Sequence, residues 1–116
     1  MATGRVVTQP AKRVVSVIWE GLTEDEDGDS VSIAQWQDKT VQATGTFANE
    51  TVTIQGSLDG TNWFTLHDLQ DGDLAFAAAG LEAIQENVLY IRPSVGTGGG
   101  AGTVDVDVII SGVAAP

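Results

Sequence analysis

Residues 40–66, TVQATGTFANETVTIQGSLDGTNWFTL, decide the fold of this chain. Apolar and polar residues alternate along them with a period of two, which is typical of strands that bury one face. Turn residues separate the runs at 48–50 and at 59–60, and Gly60 can adopt a positive φ without steric cost. The pattern predicts a meander of three antiparallel strands joined by two short turns. Its buried face is expected to include Val41, Ala43, Phe47, Val52 and Ile54.

Further strands are predicted on both sides of this stretch. Residues 13–22, RVVSVIWEGL, are apolar on nearly both faces, which is expected at the centre of a sandwich or at a contact between subunits. Residues 104–113, VDVDVIISGV, alternate with Asp105 and Asp107 on the outer face. Residues 81–87 fit either one helical turn or a strand. Seven or eight strands at this spacing predict an all-β chain, folded as a single β-sandwich of jelly-roll type.

The two ends of the chain set the predicted domain limits. Residues 1–12 have no sustained period and contain Pro10, which has no amide to donate to a ladder, so they are expected to form an extended N-terminal arm. Residues 13–113 are expected to form the sandwich domain, and residues 114–116 a C-terminal tail. The glycine-rich stretch 96–102, GTGGGAG, predicts a hairpin tip because glycine loses much conformational entropy in a regular element.

The charge and composition of the chain restrict its possible partners. Sixteen acidic and five basic side chains give a formal net charge of −11, which repels polyphosphate, so nucleic acid is not expected as a partner. The sequence has neither a long apolar span nor an apolar signal core, so no membrane partner is expected and synthesis in the host cytoplasm is predicted. There is no cysteine, hence no disulfide. Arg5, Lys12 and Arg13, three of the five basic residues, lie within the first 13 positions, so a weakly basic N-terminal arm precedes an acidic body.

Residues 23–30, TEDEDGDS, contain five acids and are the candidate metal site. Asp25, Asp27 and Asp29 alternate as at the start of an EF-hand calcium loop. The position that such a loop requires as a bidentate glutamate is Trp36, however. A solvated acidic loop is therefore the favoured interpretation, with a looser calcium site as the alternative, and no metal or other cofactor is predicted.

Catalytic residues are sought among the titratable side chains. His67 is the only histidine, so any histidine-based site would depend on it alone, and a lone histidine at a strand end is more typical of a surface or an interface. Asp105 and Asp107 lie about 7 Å apart by strand geometry, a spacing that glycosidases can use. Nothing in the sequence would raise the pKa of one carboxyl above that of the other. The chain is therefore not predicted to be an enzyme.

The aromatic residues are candidates for carbohydrate binding. Trp19, Trp36 and Trp63, together with Tyr90, could form a platform for sugar rings if they shared an exposed face. For Trp63 the favoured interpretation is a core position, because an indole just after a tight turn can fold back and close the end of the core.

A resemblance to known families adds to this pattern. Residues 56–66, GSLDGTNWFTL, resemble a G-S-x-D-G-x-x-W-x-x-L signature found in discoidin or galactose-binding-like jelly rolls and in a group of small tailed-phage virion proteins. The second group also has a strand similar to residues 90–93, YIRP, then a glycine-rich turn and a final alternating strand. The resemblance spans residues 40–111, and the phage group fits better because the later strand, the glycine-rich turn and the short length all agree with it.

The phage resemblance implies a capsid decoration or cement protein. Such a protein would lie on the capsid exterior of the virion, bind the major capsid protein and stabilise contacts between neighbouring subunits. It would be a homo-oligomer, and a trimer would match the local threefold positions of a shell. The alternatives are a carbohydrate- or receptor-binding jelly-roll module, and another structural protein of the phage tail or connector. The residues expected at an interface are Arg5, Lys12, Arg13, Val14, Ile18 and Trp19.

Overall fold

The computed structural model describes residues 4–11, 14–33, 35–96 and 103–114. Its secondary structure consists of β-strands, and none of the described residues is helical. The strands are β1 (Arg5–Ala11), β2 (Val14–Leu22), β3 (Val31–Ser32), β4 (Trp36–Thr46), β5 (Val52–Ser57), β6 (Phe64–Thr65), β7 (Ala75–Phe76), β8 (Gly80–Ala83), β9 (Tyr90–Val95) and β10 (Asp105–Ala114). It follows that no described segment is a helix able to cross a membrane.

The order of the strands is that of a jelly roll. One sheet has the order β1-β2-β10-β4-β8 and the other β3-β9-β5-β6, with β7 also paired to β5. Apart from β1 and β7, the strands pair from the two ends of the chain inward: β2 with β10, β3 with β9, β4 with β8 and β5 with β6. Successive pairs alternate between the two sheets, as in a long hairpin rolled into a sandwich. The predicted all-β jelly-roll sandwich is confirmed.

The core lies between the two sheets and is built from the inward-facing positions of the long strands. The alternation predicted for β10 is confirmed over its first half, because Val106, Val108 and Ile110 are buried while Asp105 is exposed. Apolar side chains with no exposed surface come from five strands and form the centre of the core: Val17, Trp19, Leu22, Val41, Ala43, Val52, Ile54, Ile91, Val106, Val108 and Ile110.

The predicted three-stranded meander is wrong. β4 belongs to the first sheet and β5 to the second, so the two strands are not hydrogen-bonded to each other. The chain crosses between the sheets after Phe47, where Ala48 and Asn49 have φ angles of 49° and 67°. The N–H of Glu50 donates to the carbonyl of Phe47 over 2.8 Å and closes this turn. A period of two indicates which face of a strand is buried, but it does not identify the neighbouring strand.

The chain turns at residues 59–60 as predicted, but the connection spans residues 58–63 and is longer than the tight turn that was expected. It joins β5 to β6, with Gly56 opposite Phe64. Gly60 has a φ of 76°, in the left-handed region that favours glycine. The carboxylate of Asp59 accepts the N–H groups of Thr61 and Asn62, each over 2.8 Å, so that this side chain holds the turn together.

β1 and β8 are the two edge strands of the first sheet. β1 pairs with β2 in the register Arg5 to Trp19, so the described part of the predicted arm is extended but runs along the sheet. Val6 and Val7 are successive residues on opposite faces of the strand and both are exposed, so neither face is covered at these positions and no alternation is required there. At the other edge, β8 pairs with β4, so residues 81–83 of the segment 81–87 are strand, while residues 84–87 are neither helix nor strand.

Some sequence predictions fall on residues outside the described ranges. They are Lys12 and Arg13 of the basic arm, residues 97–102 of the expected glycine-rich tip and residues 115–116 of the tail. Ala114, which was expected to begin the tail, is the last residue of β10.

Candidate binding surfaces

A groove of about 460 Å³ lies beside the hairpin of β5 and β6. Leu58 and Phe64 line it and are 67% and 69% exposed, while Val88 contributes a half-buried apolar wall. Gly56 is required beneath it, because a Cβ there would lie 2.7 Å from Leu66 and 2.9 Å from Val88. Two large apolar side chains exposed side by side make this hairpin groove a candidate contact surface.

The polar part of the hairpin groove is an ion-pair cluster around His67. The carboxylate of Glu86 accepts the backbone N–H of His67 over 2.8 Å and also contacts Nδ1 of its ring. On the other side, Nε2 of His67 lies 3.4 Å from Oδ1 of Asp73. The cluster therefore ties the segment after β6 to the segments before β7 and after β8.

The pKa values of this cluster shift toward the charged forms. The hydrogen bond to Glu86 raises the pKa of His67 against the opposing effect of burial, and the charges of Asp71 and Asp73 add to it. Burial disfavours the ionised form of Glu86, but the hydrogen bonds from His67 outweigh it and lower the pKa of this carboxyl. Both ring nitrogens of His67 face carboxylates, an arrangement that favours the protonated imidazole as a link between these segments.

The acidic loop between β2 and β3 is docked on β9. The N–H of Gly28 donates to the carbonyl of Pro93 over 2.9 Å, and the N–H of Asp25 to that of Gly96 over 3.1 Å. Asp27 accepts the hydroxyl of Ser94 over 2.6 Å. Asp27 is thereby engaged with β9, and in the described ranges no three acidic or histidine side chains are placed to hold a metal ion.

The tryptophans lie in separate environments, so the sugar platform with a shared exposed face is wrong. Trp19 is fully buried, and its indole N–H donates to the carbonyl of Asp29 over 2.9 Å. Trp36 is half-buried against the core from β4.

The core position expected for Trp63 is also wrong. Its ring is half-buried outside the core cluster, and the guanidinium of Arg92 lies 4.3 Å from the centroid of the ring. Arg92 belongs to β9 and is far from Trp63 in the sequence, so no local sequence pattern predicts this stacking.

The residues expected at an interface are divided between surface and core. Arg5 is exposed on the edge strand β1. Val14 and Ile18 are half-buried on the outer side of β2, between β1 and β10. Trp19 lies on the inner side of β2, opposite to Val14 and Ile18, and has no exposed surface. It therefore cannot contact a second subunit and belongs to the core. The exposed apolar residues Leu58 and Phe64 were not identified from the sequence, because an alternating pattern does not reveal which side of a hairpin stays uncovered.

Comparison with known proteins gives a fold likeness only. No family model and no curated protein matches the sequence. Among solved structures, the chain is similar to the SPBc2 prophage-derived protein YomS, with a TM-score of 0.59 and 10% identity over 90% of this chain and 99% of that chain. A second similar structure is protein NMB1881 from Neisseria meningitidis, with a TM-score of 0.47 and 8% identity over 95% of this chain and 83% of that chain. The likeness to YomS shows a shared fold over nearly the whole of both chains.

Proposed function

We propose that the chain is a structural protein of a phage virion that decorates the capsid. In this role it binds the outer surface of the shell and stabilises contacts between neighbouring major capsid subunits. The observation that supports the proposal most is the fold likeness to YomS, a prophage-derived protein, which extends over 99% of that chain. The resemblance of residues 56–66 to small tailed-phage virion proteins points to the same class.

The physical properties of the molecule suit this role. A net charge of −11 keeps copies soluble before assembly and disfavours direct contact with packaged DNA, which argues for the exterior of the shell. The sandwich core makes a rigid module. Exposed apolar side chains at the hairpin groove, Leu58 and Phe64, and on the edge strand, Val6 and Val7, are available for contacts with other proteins.

The proposed partners are the major capsid protein and further copies of this chain. A trimer fits the local threefold positions between capsid subunits, where one molecule touches several neighbours at once. Arg5 on the exposed edge of the sheet remains a candidate contact residue, since it is accessible.

Cryo-electron microscopy of particles from the phage that encodes the chain tests this function. We expect density for a jelly roll on the outer face of the shell, at local threefold positions. Particles assembled without the protein should lose their DNA at a lower temperature and recover when the purified protein is added back. Density confined to the tail, or a virion without the protein, would contradict the capsid assignment.

A carbohydrate-binding function is not proposed. An indole binds a sugar through its open face, but Trp19 is buried and Arg92 covers one face of Trp63. A glycan-array signal that disappears in a Trp36→Ala or a Trp63→Ala variant would reverse this conclusion.

A further inference from the structure

The two edges of the first sheet are open and carry exposed apolar residues. Within the described residues, neither β1 nor β8 has a strand on its outer side. Such an edge presents backbone N–H and C=O groups that can pair with another chain. Val6 and Val7 on β1 are 52% and 53% exposed, and Leu81 on β8 is 63% exposed.

The register of β1 assigns its side chains to the two faces of the sheet. Residues directly opposite each other in an antiparallel pair share a face. Val7 lies opposite the core residue Val17, so Val7 is on the inner side of the sheet. Val6 lies opposite Ile18 and is on the outer side. Because side chains alternate along a strand, Arg5 is on the inner side with Val7.

The register of β8 gives a matching arrangement at the other edge. Glu82 lies opposite the core residue Val41 and is therefore on the inner side, where it is exposed. Leu81 lies opposite the exposed residue Gln42 and is on the outer side. Each edge thus has an apolar residue on its outer side and a charge on its inner side, and the two charges have opposite signs.

The distribution of charge along the chain favours contact between these unlike edges. Residues 1–13 contain three basic and no acidic side chains, whereas residues 14–116 contain the other two basic and all 16 acidic ones, so the segment charges are +3 and −14. Pairing of β1 with β1 would bring like charges together, and so would pairing of β8 with β8. Like charges across an interface select against such contacts.

We propose that copies of this chain associate by pairing β1 of one copy with β8 of the next. The first sheet then continues from copy to copy, with Val6 beside Leu81 on the outer side and Arg5 diagonally across from Glu82 on the inner side, within reach of two long side chains. A contact between two different surfaces is heterologous, and it generates a closed ring or an open chain of copies.

The topology also fixes the direction of this pairing in a ring. All neighbouring strands of the five-stranded sheet are antiparallel, so its first and last strands run in the same direction. Rotation about an axis along the strands preserves that direction. In such a ring, β1 and β8 of adjacent copies are therefore parallel.

A charge-swap experiment tests the pairing on the full-length free protein. Arg5→Glu and Glu82→Lys each place like charges at the junction, and each should weaken self-association on the order of tenfold in sedimentation equilibrium. The double variant restores opposite charges and should recover the association. Asp105→Lys reverses an exposed carboxylate on β10, away from both edges, and should leave the association unchanged. Failure of the double variant to recover would overturn the proposed contact.

Cysteine cross-linking gives a second readout that does not depend on charge. The chain has no cysteine, so Val6→Cys with Leu81→Cys introduces the only two thiols. In one copy the two strands are four strand spacings apart, about 19 Å along the sheet, which is too far for a disulfide. Oxidation should therefore link successive copies, while each single variant gives at most dimers. A double variant that stays monomeric, or a Val6→Cys variant that links as efficiently as the double one, would overturn the proposal.

Both experiments use the free protein and do not depend on capsid binding. A negative result would refute the proposed contact between β1 and β8 only. The capsid role would still be tested separately, by cryo-electron microscopy of the particles.

Discussion

At the scale of single residues, turn chemistry could be predicted from the sequence and side-chain pairing could not. The aspartate and glycine at 59–60 indicated a tight turn because the conformations they favour are local properties, and the structure has Gly60 at a φ of 76°. The contact of His67 with Glu86 joins residues 19 positions apart, and that of Arg92 with Trp63 joins different segments. Such contacts depend on the final sheet order, which no local pattern contains.

Replacement of Gly60 by valine should lower the stability of the fold. A β-branched residue is strained at positive φ, so we expect a loss of about 1 to 3 kcal/mol in the free energy of unfolding. Space is not the cause, because the nearest atom to an added Cβ is in Tyr90 at 3.8 Å. Chemical denaturation measures the change. Gly4→Val is the matched control, since no atom lies within 4 Å of its added Cβ, and equal losses in both variants would refute the strain argument.

The cluster around His67 should make stability depend on pH in a defined direction. The pKa of His67 is raised from 6.5, so its contribution is complete below that value and is lost as the pH rises through the higher pKa of the folded state. The pKa of Glu86 is lowered from 4.5, so its contribution is present above that value and is lost as the pH falls through the lower pKa of the folded state. Both contributions are complete between these two ordinary values.

A His67→Gln variant isolates the histidine part of this dependence. The difference in unfolding free energy between the natural chain and the variant should be larger at about pH 6 than at about pH 9, because only the natural chain loses a positive charge at position 67 over that range. Chemical denaturation at both values measures it. A difference that grows toward alkaline pH would show that the imidazolium does not stabilise the cluster.

At the scale of elements, alternation predicted which face of each strand is buried but not which strands are neighbours. β10 has the expected inner valines, yet β4 and β5 belong to different sheets. Each of the two strands buries one face and exposes the other. The sequence therefore alternates with a period of two whether the strands are neighbours in one sheet or belong to different sheets. The edge strands escape the pattern for a related reason. In β1, Val6 and Val7 are exposed on opposite faces, so no alternation of apolar and polar residues is required at these positions.

Deletion of residues 1–11 should leave the sandwich folded. The eight strands of the jelly roll remain after β1 is removed, and Val6 and Val7 contribute exposed rather than core surface. We expect unchanged β circular dichroism and a cooperative melt, with a modest fall in melting temperature because β2 loses one of its two neighbouring strands and becomes an edge strand. Loss of the β signal, or a melt far below that of the full chain, would mean that β1 is essential to the sheet.

At the scale of the whole molecule, the number and spacing of strands were enough to predict the jelly roll. In a jelly roll, strands from the two ends of the chain pair with each other, then the next strands inward do the same. This arrangement lets many short strands enclose one core with few crossing connections. The candidate interface was predicted less well. Trp19 and Ile18 are neighbours in an apolar strand, and only the second sheet decides which of them is covered.

The last prediction concerns the size of the assembly formed by the free protein. A heterologous contact through β1 and β8 closes into a ring if the rotation between copies returns to the start, and otherwise grows without limit. If the ring is the trimer expected for a threefold capsid position, the mass measured by sedimentation should rise with concentration and then stay at three times the 12.1 kDa of one chain. Arg5→Glu should raise the concentration needed to reach this mass on the order of tenfold. A mass that keeps increasing with concentration would mean an open chain, and the trimer would then be wrong even if β1 and β8 form the contact.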